Sequence, residues 1–143
     1  MQTIYNVRNP FNIDKQYALI NLLSADYFFK NNIHKQFSKL YNSKEFLELI
    51  YKEYKNKTGI CLKQKHEDRT IFHLIVKNKY WEKSNIEYFK LSLLSLKEQL
   101  DNIKYLCIPR QQNYIEDFYW QEVEKIIEKI FKDTDITIMY CSL

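Results

Sequence analysis

The spacing of apolar positions changes several times along this chain, and each change predicts an element. Residues 2–7 alternate polar and apolar, as a half-buried strand does, and Asn9-Pro10 ends the pattern because proline supplies no ladder donor. Residues 17–23 (YALINLL) are nearly continuous apolar sequence, which suits a strand buried on both faces, although so short a run does not by itself exclude helix. A polar and aromatic loop, 24–32, leads into a helix carrying Ile33, Phe37 and Leu40. A second helix follows, with Ser43 as its N-cap and Phe46, Leu49 and Ile50 on one face. Gly59, the only glycine, stands where that helix should end. Residues 60–64 and 70–77 predict two strands joined by a polar connection of hairpin length. Ser84-Asn85-Ile86-Glu87 reads as a capping box for a helix with Phe89, Leu93, Leu96 and Leu100 as its stripe. Residues 105–108 predict a central strand, and Pro109-Arg110 opens a loop. Trp120, Val123, Ile127 and Ile130 mark a last helix, and 135–140 a closing strand. The order ββααββαβαβ predicts a three-layer α/β/α fold with a mixed, roughly six-stranded sheet.

Composition bounds this picture without changing it. A chain of 143 residues is one domain of ordinary size, 1–143, and with one Gly and two Pro it shows no linker. The net charge of +4 is spread among acidic residues, so a solvated surface is the first reading and a polyanion-binding face the second. Cys61, Cys107 and Cys141 are widely spaced and form no C-x-x-C, which suggests buried reduced thiols and neither a disulfide framework nor a metal site. His34, His66 and His73 lack metal spacing and read as surface or packing residues. No stretch approaches the roughly 18 apolar residues of a membrane span, so a cytoplasmic protein without membrane partners or cofactors is expected. The richness in Lys, Asn and Ile is what an AT-rich genome encodes; if that genome is viral, the place is the host cytoplasm or nucleus.

Two loops, 24–32 and 109–119, follow buried strands and precede helices, where backbone N–H groups and the positive end of a helix favour phosphate. Close approach of phosphate to backbone usually takes glycine, and neither loop has one. Asn31, Asn32 and Asn113 are the residues that would supply left-handed turns instead.

Over nearly its whole length the chain resembles the macrodomains, in the branch typified by the terminal ADP-ribose protein glycohydrolase. The resemblance is carried by Val7-Arg8-Asn9-Pro10-Phe11, by Ser24-Ala25-Asp26 with Ile33 and Phe37, and by Leu74-Ile75-Val76-Lys77 with Lys83 and Glu87. It is strongest in Ile108-Pro109-Arg110, Trp120-Gln121-Glu122-Val123, Ile126-Ile127-Glu128 and the block from Phe131 to Ile138. The resemblance implies a macrodomain-like sheet with an ADP-ribose cleft between the two loops. It also implies a lysine that attacks the anomeric carbon of ADP-ribose linked to a carboxylate, with an aspartate that helps to resolve the adduct. Lys77 falls on the lysine position and Glu116 on the aspartate position. The ligand positions fall on Asn9, Asn21, Asp26, Lys30, Asn31, Asn32, Arg110, Gln112, Asn113 and Tyr114. Asn9 replaces the acidic residue that recognises adenine, and Lys30-Asn31-Asn32 and Gln112-Asn113-Tyr114 replace the two glycine-rich turns.

Keeping the scaffold while losing the ligand loops is the pattern of a pseudoenzyme or a repurposed fold. The expectation is therefore a binding or interaction module with a lost or altered ADP-ribose site. An active ADP-ribosyl-carboxylate hydrolase using Lys77 and Glu116 is the first alternative, and a basic module for single-stranded nucleic acid or a host protein the second. Partners under these readings are ADP-ribose or a related nucleotide held weakly, a protein, or single-stranded nucleic acid. Each candidate also has an ordinary role: Lys77 as a solvated lysine, Glu116 and Asp117 as caps of the last helix, and Lys52, Lys55, Lys57, Lys63 and Lys65 as a solvated face. Arg110 either steers an anion or binds a neighbouring loop. Tyr80, Trp81, Tyr114, Phe118 and Tyr119 either stack a base or fill an emptied cleft, with Tyr114 and Lys30 the residues placed to fill it.

Overall fold

The computed structural model describes residues 1–142. Their elements run β1 (Gln2–Asn6), β2 (Tyr17–Ser24), α1 (Asn32–Tyr41), α2 (Ser43–Ile50), β3 (Cys61–His66), β4 (Arg69–Lys77), α3 (Ile86–Glu98), β5 (Tyr105–Arg110), β6 (Tyr114–Ile115), β7 (Phe118–Tyr119), α4 (Trp120–Phe131) and β8 (Thr137–Ser142). Six strands form one mixed sheet in the order β1-β8-β5-β2-β4-β3, in which only β3 is antiparallel to its neighbour.

Side-chain alternation along β2 accounts for the three layers, since successive residues face opposite sides of a sheet. Ala18, Ile20 and Leu22 enter one core with Phe89 and Leu93 of α3 and Val123 and Ile127 of α4. Leu19 and Leu23 enter the other with Phe37 of α1 and Leu47 of α2. All eight residues of β2 are buried, and each large apolar side chain so placed stabilises the fold by about 1.5–3 kcal/mol.

The order of strands also places a crevice. Strands β2 and β5 are neighbours, yet the chain leaves β2 for α1 on one face and leaves β5 for α4 on the other. Loops that part in this way open a cleft at the carboxyl ends of the strands. The ladder itself parts as well: β2 and β5 pair only from Tyr17–Tyr105 to Leu19–Cys107, and beyond that point they separate.

Local departures from the sequence expectation have local causes. Asn42, in left-handed backbone (φ 52°), both ends α1 and starts α2, so Ser43 is not the cap and its hydroxyl donates instead to Gln64 Oε1 at 2.7 Å. The apolar stripe expected on α2 holds only in part: Phe46 packs partly buried against the core, Leu49 and Ile50 are exposed, and Leu47 is the buried anchor. Gly59 lies past the helix end, beyond a 3-10 turn at Lys52–Tyr54. Asn85 caps α3 in place of Ser84, its side chain accepting from the N–H groups of Glu87 and Tyr88. Pro109 and Arg110 do not open a loop; they extend β5, paired with Cys141 and Ser142. The stretch after them holds the small hairpin β6–β7, with Glu116-Asp117 as its turn. All three cysteines are buried and free, and Cys107 and Cys141 bring their Sγ atoms to 3.1 Å across neighbouring strands.

Candidate functional site

A pocket of about 80 Å³ sits where β2 and β5 separate. Its floor is Ile20, Asn21 and Leu22, one wall is Asn31, Ile33 and His34 at the start of α1, and the other is Pro109, Gln111, Tyr114, Ile115 and Glu116. It adjoins a wider surface groove of about 520 Å³ along Gln111, Gln112, Tyr114 and Glu116. The two loops singled out in the sequence thus do converge.

His34 governs one wall. Its Nδ1 accepts from the backbone N–H groups of Lys30 (3.2 Å) and Asn31 (3.4 Å), which fixes the ring proton on Nε2. That N–H donates to the Leu22 carbonyl at 2.7 Å. In return the Asn31 side chain accepts from the His34 N–H at 2.8 Å, a reciprocal cap that closes the amino end of α1. The donors that this loop would offer to a phosphate are therefore turned inward. Glu116 Oε1 stands 2.8 Å from His34 Nε2 but off the direction of its N–H, which the Leu22 carbonyl takes, so this buried oxygen has no hydrogen bond of its own.

Beneath the floor, Asn21 begins a file of buried polar groups. Asn21 Nδ2 donates to His73 Nδ1 at 3.0 Å, His73 Nε2 donates to Gln64 Oε1 at 2.8 Å, and Gln64 Nε2 donates to the Tyr41 carbonyl at 2.7 Å. Burial, and to a lesser degree neighbouring His34, push the His73 imidazole down to about 3, so it is neutral. Of the three histidines expected to be surface or packing groups, His34 lines the pocket wall, His73 packs beneath the floor, and His66 lies away from the site. Their roles depend on strands that meet only in three dimensions.

The expected Lys77–Glu116 pair is not what the fold assembles. Lys77 ends β4, its side chain is only 5% exposed, and its Nζ lies 3.6 Å from Asp117 Oδ2, while Glu116 faces His34. Asp117 Oδ2 also accepts from the Ser84 N–H at 2.7 Å. Burial raises the Asp117 carboxyl, but the Ser84 N–H and the Lys77 ammonium outweigh it and hold the group below the ordinary carboxylate range. Glu116 and Asp117 do not cap α4 either, since Tyr119 occupies the cap position with no side-chain bond. The cause is the hairpin: the turn places successive carboxylates on different neighbours.

The remaining candidates divide. Asn9 caps a 3-10 turn by accepting from the Phe11 N–H at 2.9 Å. Asp26 accepts from the Tyr80 N–H at 3.2 Å, and its other oxygen is buried without a partner. Lys30 is exposed and does not line the pocket, and Asn32 is the first residue of α1. Arg110 binds its own loop, with its guanidinium 4.0 Å from the Trp120 ring and Nη1 donating to the Gln112 carbonyl at 3.1 Å. The Asn113 carbonyl accepts from the Trp120 N–H at 2.7 Å. None of Asn31, Asn32 and Asn113 is left-handed; Gln112 and Glu116 are (both φ 53°). Tyr114 lies at the rim, 43% exposed and stacked on Tyr119, so it borders the pocket without filling it. Tyr80 stacks on Phe28 and meets Trp81 edge-on, all away from the lining, and Phe118 packs on Phe89. Of the basic stretch, Lys55 pairs with Glu48 and Lys63 with Asp101. Among the described residues no helix is long and apolar enough to cross a membrane, and no group of three or more metal-ligating side chains forms.

No protein-family model matches the chain. It is similar to the ADP-ribose glycohydrolase OARD1 of Bos taurus, 27% identical over 128 residues, 88% of this chain and 82% of that protein. Among solved structures it is similar to the macrodomain of Mycobacterium tuberculosis DarG, with a TM-score of 0.83, 18% identity and 97% of each chain covered. The macrodomain of Thermus aquaticus DarG follows, with a TM-score of 0.80, 14% identity and 99% and 98% covered. Thermosipho africanus DarTG in complex with ADP-ribose gives 0.73 at 13% identity over 91% of this chain and 40% of that one. With a mixed six-stranded sheet between two helical layers and these likenesses along nearly its full length, the chain has the macrodomain fold.

Proposed function

We propose that the chain is a binding module, a macrodomain whose ADP-ribose cleft has been altered so that the intact nucleotide is held weakly and is not hydrolysed. The observation that carries this reading is the inward turn of the Lys30 and Asn31 N–H groups onto His34, which withdraws the donors a pyrophosphate needs. The enclosed part of the cleft, about 80 Å³, is also well below the roughly 300–1,000 Å³ of ordinary ligand sites, and the groove that adjoins it is open surface. The relation to ADP-ribose itself comes from relatives, one named an ADP-ribose glycohydrolase and one solved in complex with ADP-ribose. Titration calorimetry with ADP-ribose tests the reading. Heats consistent with a dissociation constant near 1 mM or weaker are expected, and binding at about 1 μM would overturn it.

One observation favours a second reading, an ADP-ribosyl-carboxylate hydrolase. Lys77 is buried at a strand end beside the Asp117 carboxylate, a lysine and an acid within reach of each other. In this reading Asp117 takes the part expected of Glu116. The amine attacks the anomeric carbon, the substrate carboxylate leaves, and water then releases ADP-ribose from the lysine. Release of ADP-ribose from a modified protein, abolished in Lys77→Ala with binding intact, would support it. Absence of release from the unaltered chain would end it.

A further inference from the structure

Two buried acceptors line the small pocket without a donor to meet them, Asn21 Oδ1 and Glu116 Oε1. Neither can relieve itself by a simple rotation. The Tyr41 carbonyl only accepts, so it orients the Gln64 amide, which orients the His73 tautomer, and the His73 lone pair in turn requires the Asn21 NH₂. The oxygen left over at the pocket floor is therefore always an acceptor, on a residue only 1% exposed. On the facing wall, two backbone N–H groups hold His34 Nδ1 as an acceptor, and the Leu22 carbonyl takes the single ring proton. Glu116 is left with an unmatched buried oxygen, and buried polar atoms left so are rare in folded proteins because each costs free energy.

A phosphate brought here would add acceptors to acceptors and set its charge against the Glu116 carboxylate. A cationic donor would satisfy both oxygens, and no lysine or arginine of the chain lies among the lining residues. We infer that the pocket is a receptor for a guanidinium head, which brings several N–H donors and a positive charge in a flat outline. At the mouth, the exposed face of Tyr114, stacked on Tyr119, offers a cation–π surface on the way in. The adjoining groove, with the amides of Gln111 and Gln112, has room for the chain that carries the head. This inference rests on the reading of the cleft as a binding site and names the ligand class that the altered site takes.

The test uses the full chain and two probes, methylguanidinium and a short blocked Gly-Arg-Gly peptide, followed by NMR shifts of pocket amides. Saturable shifts are expected, with affinity lowered about tenfold or more in Glu116→Gln, which keeps the shape and removes the charge. Tyr114→Ala should weaken binding about threefold, consistent with loss of a partly exposed cation–π contact. Tighter binding of the peptide assigns the source as a polypeptide arginine, and equal binding assigns a free small cation. No saturable shift with either probe, or equal affinity in Glu116→Gln, overturns the inference. A Gly-Lys-Gly peptide binding as tightly as the arginine peptide overturns the choice of guanidinium. ADP-ribose added to the same sample keeps the two readings apart. Binding at about 1 μM overturns the altered-cleft reading, whereas silence toward the guanidinium probes with ADP-ribose still weak overturns this inference alone.

Discussion

Gly59 is the one glycine of the chain, and its place has a steric reason. Its φ is +70°, and a Cβ there would come within 3.2 Å of Leu91 Cβ. Gly59→Ala should therefore cost about 1–2 kcal/mol, read as a lower urea midpoint, and an unchanged midpoint would refute the argument. His73 offers a second test at this scale. Its imidazole is pushed down to about 3 inside, against an ordinary value near 6.5 in the unfolded chain. A lowered folded value means that its contribution is complete above pH 6.5 and is lost as pH falls from 6.5 toward 3, because the unfolded chain takes up the proton first. Urea unfolding followed between pH 7 and 5 should show this loss, and His73→Gln should flatten it; equal slopes in the two proteins would exclude His73 as the cause. Single residues were also where sequence reasoning fell short. A lone glycine is visible in the sequence, but Asn21 and His73 become partners only through the pairing of β2 with β4, and no local signal reports that.

Hairpin turns and caps decide the next scale. Both hairpins turn on the dipeptide Glu-Asp, Glu67-Asp68 between β3 and β4 and Glu116-Asp117 between β6 and β7, with the glutamate left-handed each time (φ 56° and 53°). Two-residue turns with positive φ at the first residue only usually carry Gly there, so the first is legible from its flanking strands and the second, with two-residue strands, is not. The resemblance sets Glu116 on the aspartate position opposite Lys77, whereas this turn brings Asp117 to within 3.6 Å of the Lys77 ammonium. Because the Glu67 side chain is exposed, Glu67→Gly should act through backbone strain alone and raise stability by about 0.5–1 kcal/mol. A fall in the thermal midpoint would show that the left-handed glutamate carries no strain. At the other end of the site, Asn31→Ala should cost about 1 kcal/mol by opening the cap of α1. Faster hydrogen exchange confined to the first turn of α1 is the expected sign, and unchanged protection there would argue that His34 alone closes it.

At the scale of the molecule, strand and helix periods were enough to read the layers, because burial on both faces leaves continuous apolar runs such as 17–23. The crevice between β2 and β5 was legible only as a position at strand ends. Its small size and its unmatched oxygens come from side chains of α1, β2 and the β6–β7 hairpin meeting there. The basic stretch illustrates the same limit, since Lys55 and Lys63 find acidic partners that sequence order does not pair.

The central sheet has one further consequence, in time rather than in space. β8 lies between β1 and β5, and Gln2 pairs with Thr137, so the first strand made has no neighbour until the last one arrives. At roughly 5–20 residues per second of synthesis, that wait is on the order of ten seconds. During it, β2, β3 and β4 can assemble with α1 and α2, while Ile4 and Tyr5 stay open to other contacts. Ribosome-bound chains stopped before Thr137 should accordingly be cut by protease within the first ten residues, and full-length chains should resist there.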